Sequence, residues 1–398
     1  MSDKTAVLVY SGGLDTTVCI PLMRERYGFD KIVTVTVDVG QPSEDVQDAA
    51  ERARALNAEH YTVDAKAEFA SDYCFPAIAA NADYQGYPLS TSIARPLIAA
   101  KAVETAKTLS RADAFVHGCT GKGNDQFRIE FMIRALMPEA QIIAPMRELN
   151  MTRTEEIEYA RSHGAPIHQS SEKIWSIDEN LWGRSVEGGR LEDPSYAPPE
   201  EIFQWTVDPT KAPDHPQEIE IRFDQGRPVA LDGQSHSPLE MIVQLNRIAG
   251  AHGIGRIDIM EDRMIGLKVR ENYECPAAVT LITAHRALEA LVCAKDELRF
   301  KEQADRAWAE LAYAGLWIDP FKASLKAFIQ KVQERATGTV RLRLYKGSAR
   351  VIGRESRWAL YDENLASFDT TDFDQSEMAG AVKAHGLAAR LYRRLSQG

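Results

Sequence analysis

Ala6-Val7-Leu8-Val9-Tyr10 runs straight into Ser11-Gly12-Gly13-Leu14-Asp15-Thr16-Thr17, and the reading of these twelve residues decides the fold. The apolar run predicts a buried strand, and the pattern from Thr16 to Arg26 predicts a helix. Two glycines at a strand-to-helix turn let the backbone approach a ligand closely, so that successive N–H groups form an anion-binding concavity. The helix N-terminus adds partial positive charge, and the hydroxyls of Ser11, Thr16 and Thr17 can donate to phosphate oxygens. A pyrophosphate cradle is the expectation. Asp15 would be repelled there unless a cation lay between it and the phosphates, and a magnesium ion meets that need. The loop lacks the lysine and the spacing of a Walker loop, as does Gly118-Cys119-Thr120-Gly121-Lys122-Gly123.

Outward from this turn, strand-like and helical segments alternate. Ile32–Val37, Tyr61–Val63, Ala114–His117 and Gln141–Ala144 read as strands, and Ser43–Leu56, Ser92–Leu109 and Asp125–Leu136 as helices. Strands spaced by helices imply βαβ units and an α/β, doubly wound, mostly parallel sheet forming a nucleotide-binding domain. Beyond about residue 165 the pattern breaks, and His168–Pro199 reads as a long functional loop. Glu218–Phe223 and Pro228–Leu231 then read as paired strands, Leu239–His252 as an amphipathic helix and Arg256–Met260 as a strand. Ala277–Cys293 and Glu297–Gly315 read as helices, and a hairpin turns at Lys346-Gly347-Ser348. These make an α+β second domain. Ser376–Leu395, with its basic finish at Arg390, Arg393 and Arg394, predicts a C-terminal helical arm. The expected division is 1–168, 169–362 and 363–398.

The 398 residues exceed the roughly 250–300 at which one core stops growing. With 44% hydrophobic and 26% charged residues the chain has the composition of a globular protein. No apolar run approaches the length of a membrane span, and no signal-like stretch precedes the first strand, so a cytoplasmic location is expected. The net charge of −11, without a block of basic residues, argues against nucleic acid as a partner. Cys19, Cys74, Cys119, Cys275 and Cys293 form no C-x-x-C pair and read as reduced thiols.

Three further blocks carry chemistry. Tyr87-Pro88-Leu89-Ser90-Thr91-Ser92-Ile93-Ala94-Arg95-Pro96 sets a phenol and three hydroxyls before a helix whose N-terminus can bind a carboxylate, with Thr91 or Ser92 as alternative plain caps. Pro96 is expected within that helix's first turn. The second block, His117–Arg128, crowds three glycines ahead of Asn124, Asp125 and Arg128. There Asp125 can accept an ammonium group, Arg128 can fork onto a carboxylate, and Thr120 and Asn124 can orient substrates. Trp175–Ser185, Glu261-Asp262-Arg263 and Tyr273-Glu274 form the third set, with Trp175 and Trp182 as packing anchors.

The loop Ser11–Thr17 resembles the Ser-Gly-Gly-x-Asp-Ser/Thr motif of the ATP pyrophosphatase superfamily, whose members cleave ATP between the α and β phosphates. With the other three blocks, the chain resembles the argininosuccinate synthase family from Tyr10 to at least Glu289. That resemblance implies ligation of citrulline to aspartate through a citrullyl-adenylate, with release of AMP and pyrophosphate, in a homotetramer. It implies that Val9, Tyr10, Ser11, Gly12, Gly13, Leu14, Asp15, Thr16, Thr17, Val37 and Gly118 hold ATP, with Asp15 on Mg2+. Tyr87, Ser92, Asn124, Arg128, Ser176, Ser185, Glu261 and Tyr273 would hold citrulline; Thr91, Thr120, Asn124 and Asp125 would hold aspartate. Asp15, Asp125 and Arg128 would be the catalytic set. Thr17 stands where serine is usual and Cys119 where alanine is frequent, both mild departures. A tRNA thiolase would need a cysteine pair and a basic surface that the sequence lacks, and an inactive nucleotide-binding protein would have no reason to keep Asp15, Asn124, Asp125, Arg128 and Glu261.

Overall fold

A computed structural model describes residues 4–166 and 175–397. The opening strand β1 (Thr5–Val9) is wholly buried and leads into helix α1 (Leu14–Glu25). The alternation continues through β2 (Lys31–Asp38), α2 (Ser43–Ala55) and β3 (Glu59–Asp64), then the short α3 (Lys66–Glu68), a π-helical turn at Phe69–Cys74 and α4 (Phe75–Ala79). After these come α5 (Ser90–Thr108), β4 (Ala114–His117), α6 (Asp125–Leu136), β5 (Gln141–Ile143), α7 (Pro145–Leu149) and α8 (Arg153–Ser162). The five strands pair in parallel in the order β3-β2-β1-β4-β5. Period-two alternation on β1 serves both faces. Ala6 and Leu8 pack with α1, α2 and α8, whereas Val7 and Val9 pack with α5 and α6. The doubly wound expectation therefore holds.

The second half is antiparallel. It holds β6 (Ser176–Asn180), β7 (Gly183–Glu187), β8 (Gln217–Asp224), β9 (Arg227–Leu231), β10 (Gln234–Ser235), α9 (Pro238–Ala251), β11 (Arg256–Asp262), β12 (Lys268–Glu274), α10 (Pro276–Val292), α11 (Lys295–Tyr313), α12 (Pro320–Gln333), β13 (Gly338–Tyr345) and β14 (Ser348–Glu355). One sheet has the order β10-β9-β8-β13-β14 and the other β11-β12-β7-β6. Alternation on β8 buries Ile219, Ile221 and Phe223. The hairpin of β13 and β14 turns on Lys346 and Gly347, both at positive φ (42° and 84°), the geometry that suits a two-residue turn to strand twist. One apolar core joins this half to the α5–α6 face of the parallel sheet. The two halves share it, while a second core between the parallel sheet and α1, α2 and α8 is buried by the first half alone.

Three expectations need correction. The stretch 168–199 is not one loop, because β6 and β7 form a hairpin within it and Trp182 anchors that hairpin, fully buried with its indole N–H donating to the Pro88 carbonyl. Residues 167–174, including the boundary expected at 168, lie outside the described residues. Pro96 sits in the second turn of α5, which begins at Ser90, earlier than the hydroxyl pattern suggested. The C-terminal helix is broken: after α13 (Glu363–Ala366), α14 (Met378–Ala384) stops at Gly386 (φ 69°) and α15 (Leu387–Gln397) begins anew. Gly386 adopts the left-handed conformation that ends helices.

Candidate active site

The phosphate-loop candidate lies at the C-terminal edge of the parallel sheet, between β1 and α1, beside the end of β4 where the strand order reverses. Gly12 has φ 76°, and a Cβ there would stand 2.6 Å from Ala49 Cβ, so only glycine fits. A Cβ on Gly118 would meet Thr16 Cγ2 at 2.9 Å and Thr16 N at 3.0 Å, which packs the end of β4 directly on the loop. Val9 and Leu14 are buried beneath the loop. Ser11 Oγ accepts from Gly13 N at 3.2 Å and shares a 3.1 Å hydrogen bond with Thr16 Oγ1. Thr17 turns inward instead. It is buried, bonded to the Tyr10 hydroxyl at 3.1 Å, and so braces the loop from below. Arg52 Nη1 donates to Gly12 O at 2.6 Å, bringing a cation to the loop from α2. Val37 is buried on β2, and its carbonyl accepts from Gln41 Nε2 at 2.9 Å.

Asp15 follows the loop on α1 and faces Glu156 of α8. Burial first, then the charge and hydrogen bond of Asp15, push the Glu156 carboxyl up to about 8. Two carboxylates held together next to a phosphate cradle form a donor pair suited to magnesium, which takes one or two carboxylates and completes its shell with phosphate oxygens and water.

On the other side of β4 a dense polar network forms. Arg95 of α5 bridges Asp125 of α6 (2.7 Å) and Asp178 of β6. Arg128 Nη1 donates to Asp125 Oδ1 at 2.8 Å. Burial opposes the Asp125 charge, but Arg95 and Arg128 outweigh it and hold the carboxyl down to about 2. Arg128 is itself buried; its Nε donates to the Tyr313 carbonyl at 2.8 Å, and its Nη2 is buried with no hydrogen-bond partner. An unpaired guanidinium nitrogen in such a place costs free energy unless something accepts from it.

The aromatic wall comes from three elements. Tyr87 stacks on Tyr273 with ring centroids 4.0 Å apart. Tyr273 donates to Glu261 Oε2 at 2.8 Å, and Ser185 is its cross-strand partner. Neither Thr91 nor Ser92 caps α5. The Tyr87 hydroxyl accepts from the amides of both, at 2.7 and 3.3 Å, and also contacts the Thr91 hydroxyl at 2.8 Å. Leu89 supplies the sharp turn that brings the phenol back, at φ 63°. Asn124 is held at both ends, its Nδ2 donating to Tyr313 Oη at 2.7 Å and its Oδ1 accepting from Met264 N at 3.0 Å.

Tyr87, Thr91, Ser92, Asn124, Asp125, Arg128, Ser185, Glu261 and Tyr273 thus come together from both halves of the chain. Thr120 and Ser176 are exposed at the rim, and their side chains join none of these hydrogen bonds. Sequence reasoning did not single out Arg52, Glu156, Asp178 or Tyr313 as site residues, and it quoted Arg95 without a role. The five cysteines are free thiols, four buried and Cys119 half-buried. No helix among the described residues is long and apolar enough to cross a membrane.

Two family models divide this chain between them. The "Arginosuccinate synthase N-terminal HUP domain" matches residues 5–166, and the "Arginosuccinate synthase C-terminal domain" matches residues 175–392. The chain is 58% identical over 392 residues to the argininosuccinate synthase of Methanocaldococcus jannaschii, covering 98% of both. It is 56% identical over 394 residues to that of Methanococcoides burtonii, covering 99% of both. With that of Methanococcus maripaludis it shares 54% over 398 residues, all of both chains.

Proposed function

The chain belongs to the argininosuccinate synthase family, and from that premise we propose how its residues carry out the ATP-dependent ligation of citrulline to aspartate that it catalyses in arginine biosynthesis. The loop from Val9 to Thr17, with Val37 and Gly118 beside it, holds ATP. The Ser11 and Thr16 hydroxyls, accessible at the loop, would meet the two outer phosphates, and the dipole of α1 adds positive charge. Asp15, with Glu156 at its side, would hold a magnesium ion, which would supply positive charge to the departing pyrophosphate.

Tyr87, Ser92, Asn124, Arg128, Ser185, Glu261 and Tyr273 hold citrulline, with Ser176 at the rim. The free Nη2 of Arg128 takes its carboxylate, and Glu261 accepts from its amino group. Aspartate lies against Thr91, Thr120, Asn124 and Asp125. Because two arginines keep Asp125 ionised, it can attract the ammonium group of aspartate and hold the nitrogen near the reacting carbon.

The chemistry needs two steps, since the ureido oxygen of citrulline is a poor leaving group. That oxygen bonds to the α-phosphorus as the bond to the β-phosphate oxygen breaks, and pyrophosphate departs. The aspartate amine then bonds to the ureido carbon, the carbon–oxygen bond breaks, and AMP leaves carrying the former ureido oxygen. No side chain forms a covalent bond; the protein's contribution is positioning and electrostatics.

The observation that carries the residue assignment is the unpartnered, buried Arg128 Nη2 beside the tyrosine wall. A direct test uses citrulline labelled with 18O in the ureido group. One label is expected in the phosphate of every AMP formed, with pyrophosphate released only when all of ATP, citrulline and aspartate, or ATP and citrulline, are present. Label retained in argininosuccinate, or ADP as product, would overturn the adenylate route. The rival thiolase reading is not favoured, because the described cysteines are dispersed and mostly buried.

A cytoplasmic homotetramer is part of the same proposal, as is division near residue 168 with residues 363–398 as an arm. The apolar stripe Leu387, Leu391 and Leu395 on α15 recurs every four residues and is exposed on the single chain, which supports a neighbouring subunit as its cover.

A further inference from the structure

Tyr313, the last residue of α11, lies outside every motif discussed above and yet touches three residues of the proposed citrulline pocket. Its hydroxyl donates to Glu261 Oε1 at 2.5 Å and accepts from Asn124 Nδ2 at 2.7 Å. A phenol has a single proton, and the short bond to a carboxylate is where that proton goes. The backbone carbonyl of the same residue accepts from Arg128 Nε at 2.8 Å, and the Arg128 guanidinium lies 4.8 Å from the ring centroid. Tyr84 stacks on the other face at 3.7 Å and 9°, so the ring has little freedom to turn. Gly315, at φ 76°, allows the close approach, since a Cβ there would lie 2.6 Å from Arg128 Cα.

We propose that Tyr313 is a positioning residue of the citrulline pocket: its hydroxyl sets Glu261 and Asn124, and its carbonyl sets Arg128, so that the amino-acid end of citrulline meets one fixed arrangement. The inference rests on the pocket assignment given above. It follows from two constraints. Glu261 has Tyr273 on one oxygen and Tyr313 on the other, so losing either hydroxyl frees the carboxylate to rotate. Arg128 keeps Nη2 for the ligand only while Nε and Nη1 are held elsewhere.

Tyr313→Phe keeps the ring, its stacking and the backbone carbonyl, and removes only the hydroxyl. The measurements are KM for citrulline, KM for ATP, kcat and melting temperature, for this variant and for Glu261→Gln. Positioning predicts a rise in citrulline KM of about tenfold or more, the scale of a lost hydrogen bond to a charged group, with ATP KM and melting temperature unmoved. The inference is overturned if citrulline KM stays put in Tyr313→Phe but rises in Glu261→Gln. It is overturned equally if both Michaelis constants rise together as the melting temperature falls, the mark of a merely structural joint. An unchanged citrulline KM in Glu261→Gln would instead remove the pocket assignment beneath it.

Discussion

Asp15 shows how much one residue type can say. A carboxylate at a phosphate cradle makes sense only with a cation, and the residue across from it, Glu156, is pushed toward its protonated form by burial and by Asp15 itself. Replacing Asp15 with asparagine keeps the size and removes the charge. Turnover is expected to fall on the order of 100-fold, the usual scale for losing one transition-state electrostatic contact, while the Kd of citrulline changes little. Pyrophosphate release in stopped flow and equilibrium binding of citrulline separate the two, and near-normal turnover would remove the metal role. Asp15 was legible because its neighbours in sequence explain it. Glu156 was not, for it lies 141 positions away and meets Asp15 only because α8 packs beside α1. Arg95 and Asp178 stood in chemistry-bearing blocks but without a role for the same reason: an arginine bridging two carboxylates from α6 and β6 is invisible until the helix and hairpin are docked.

At the scale of elements, the alternation of short apolar runs with longer helical segments located the parallel sheet well. It failed at 176–187, where the strands carry polar side chains on both faces: Asp178 pairs with Arg95 on the site side, while Glu179 and Arg184 pair with each other, and Arg184 with Glu274, in a buried ion-pair network on the other. The start of α5 failed differently. Serine and threonine there suggest ordinary capping, but the acceptor for the first amides is the phenol of Tyr87, reached through the left-handed Leu89. Tyr87→Phe is therefore expected to destabilise the substrate-free protein by about 1 kcal/mol, as for other lost helix caps. Urea unfolding of the two proteins checks this. A midpoint unchanged in the variant would mean that water serves those amides equally well.

Across the whole molecule, the two halves share one apolar core, in which α5 packs on both the parallel sheet and the β6–β7 hairpin, with Trp182 tied to Pro88 just ahead of it. The end of the chain behaves differently. Among residues 363–397 no side chain is buried, and Leu395 is 83% exposed although its stripe on α15 is as regular as any core-facing helix. A helix of eleven residues is marginal in water without a partner surface. Its apolar face therefore needs cover that the single chain does not give. Deleting everything after residue 362 removes no side chain from the core, so the truncated chain should keep its far-ultraviolet circular dichroism per residue apart from the lost helices, and its unfolding should remain cooperative. Multi-angle light scattering should show the full chain as four subunits and the truncated one as a smaller species at the same concentration. A truncated chain that stayed tetrameric would place the assembly contacts on the body of the molecule and leave α15 with no oligomeric role.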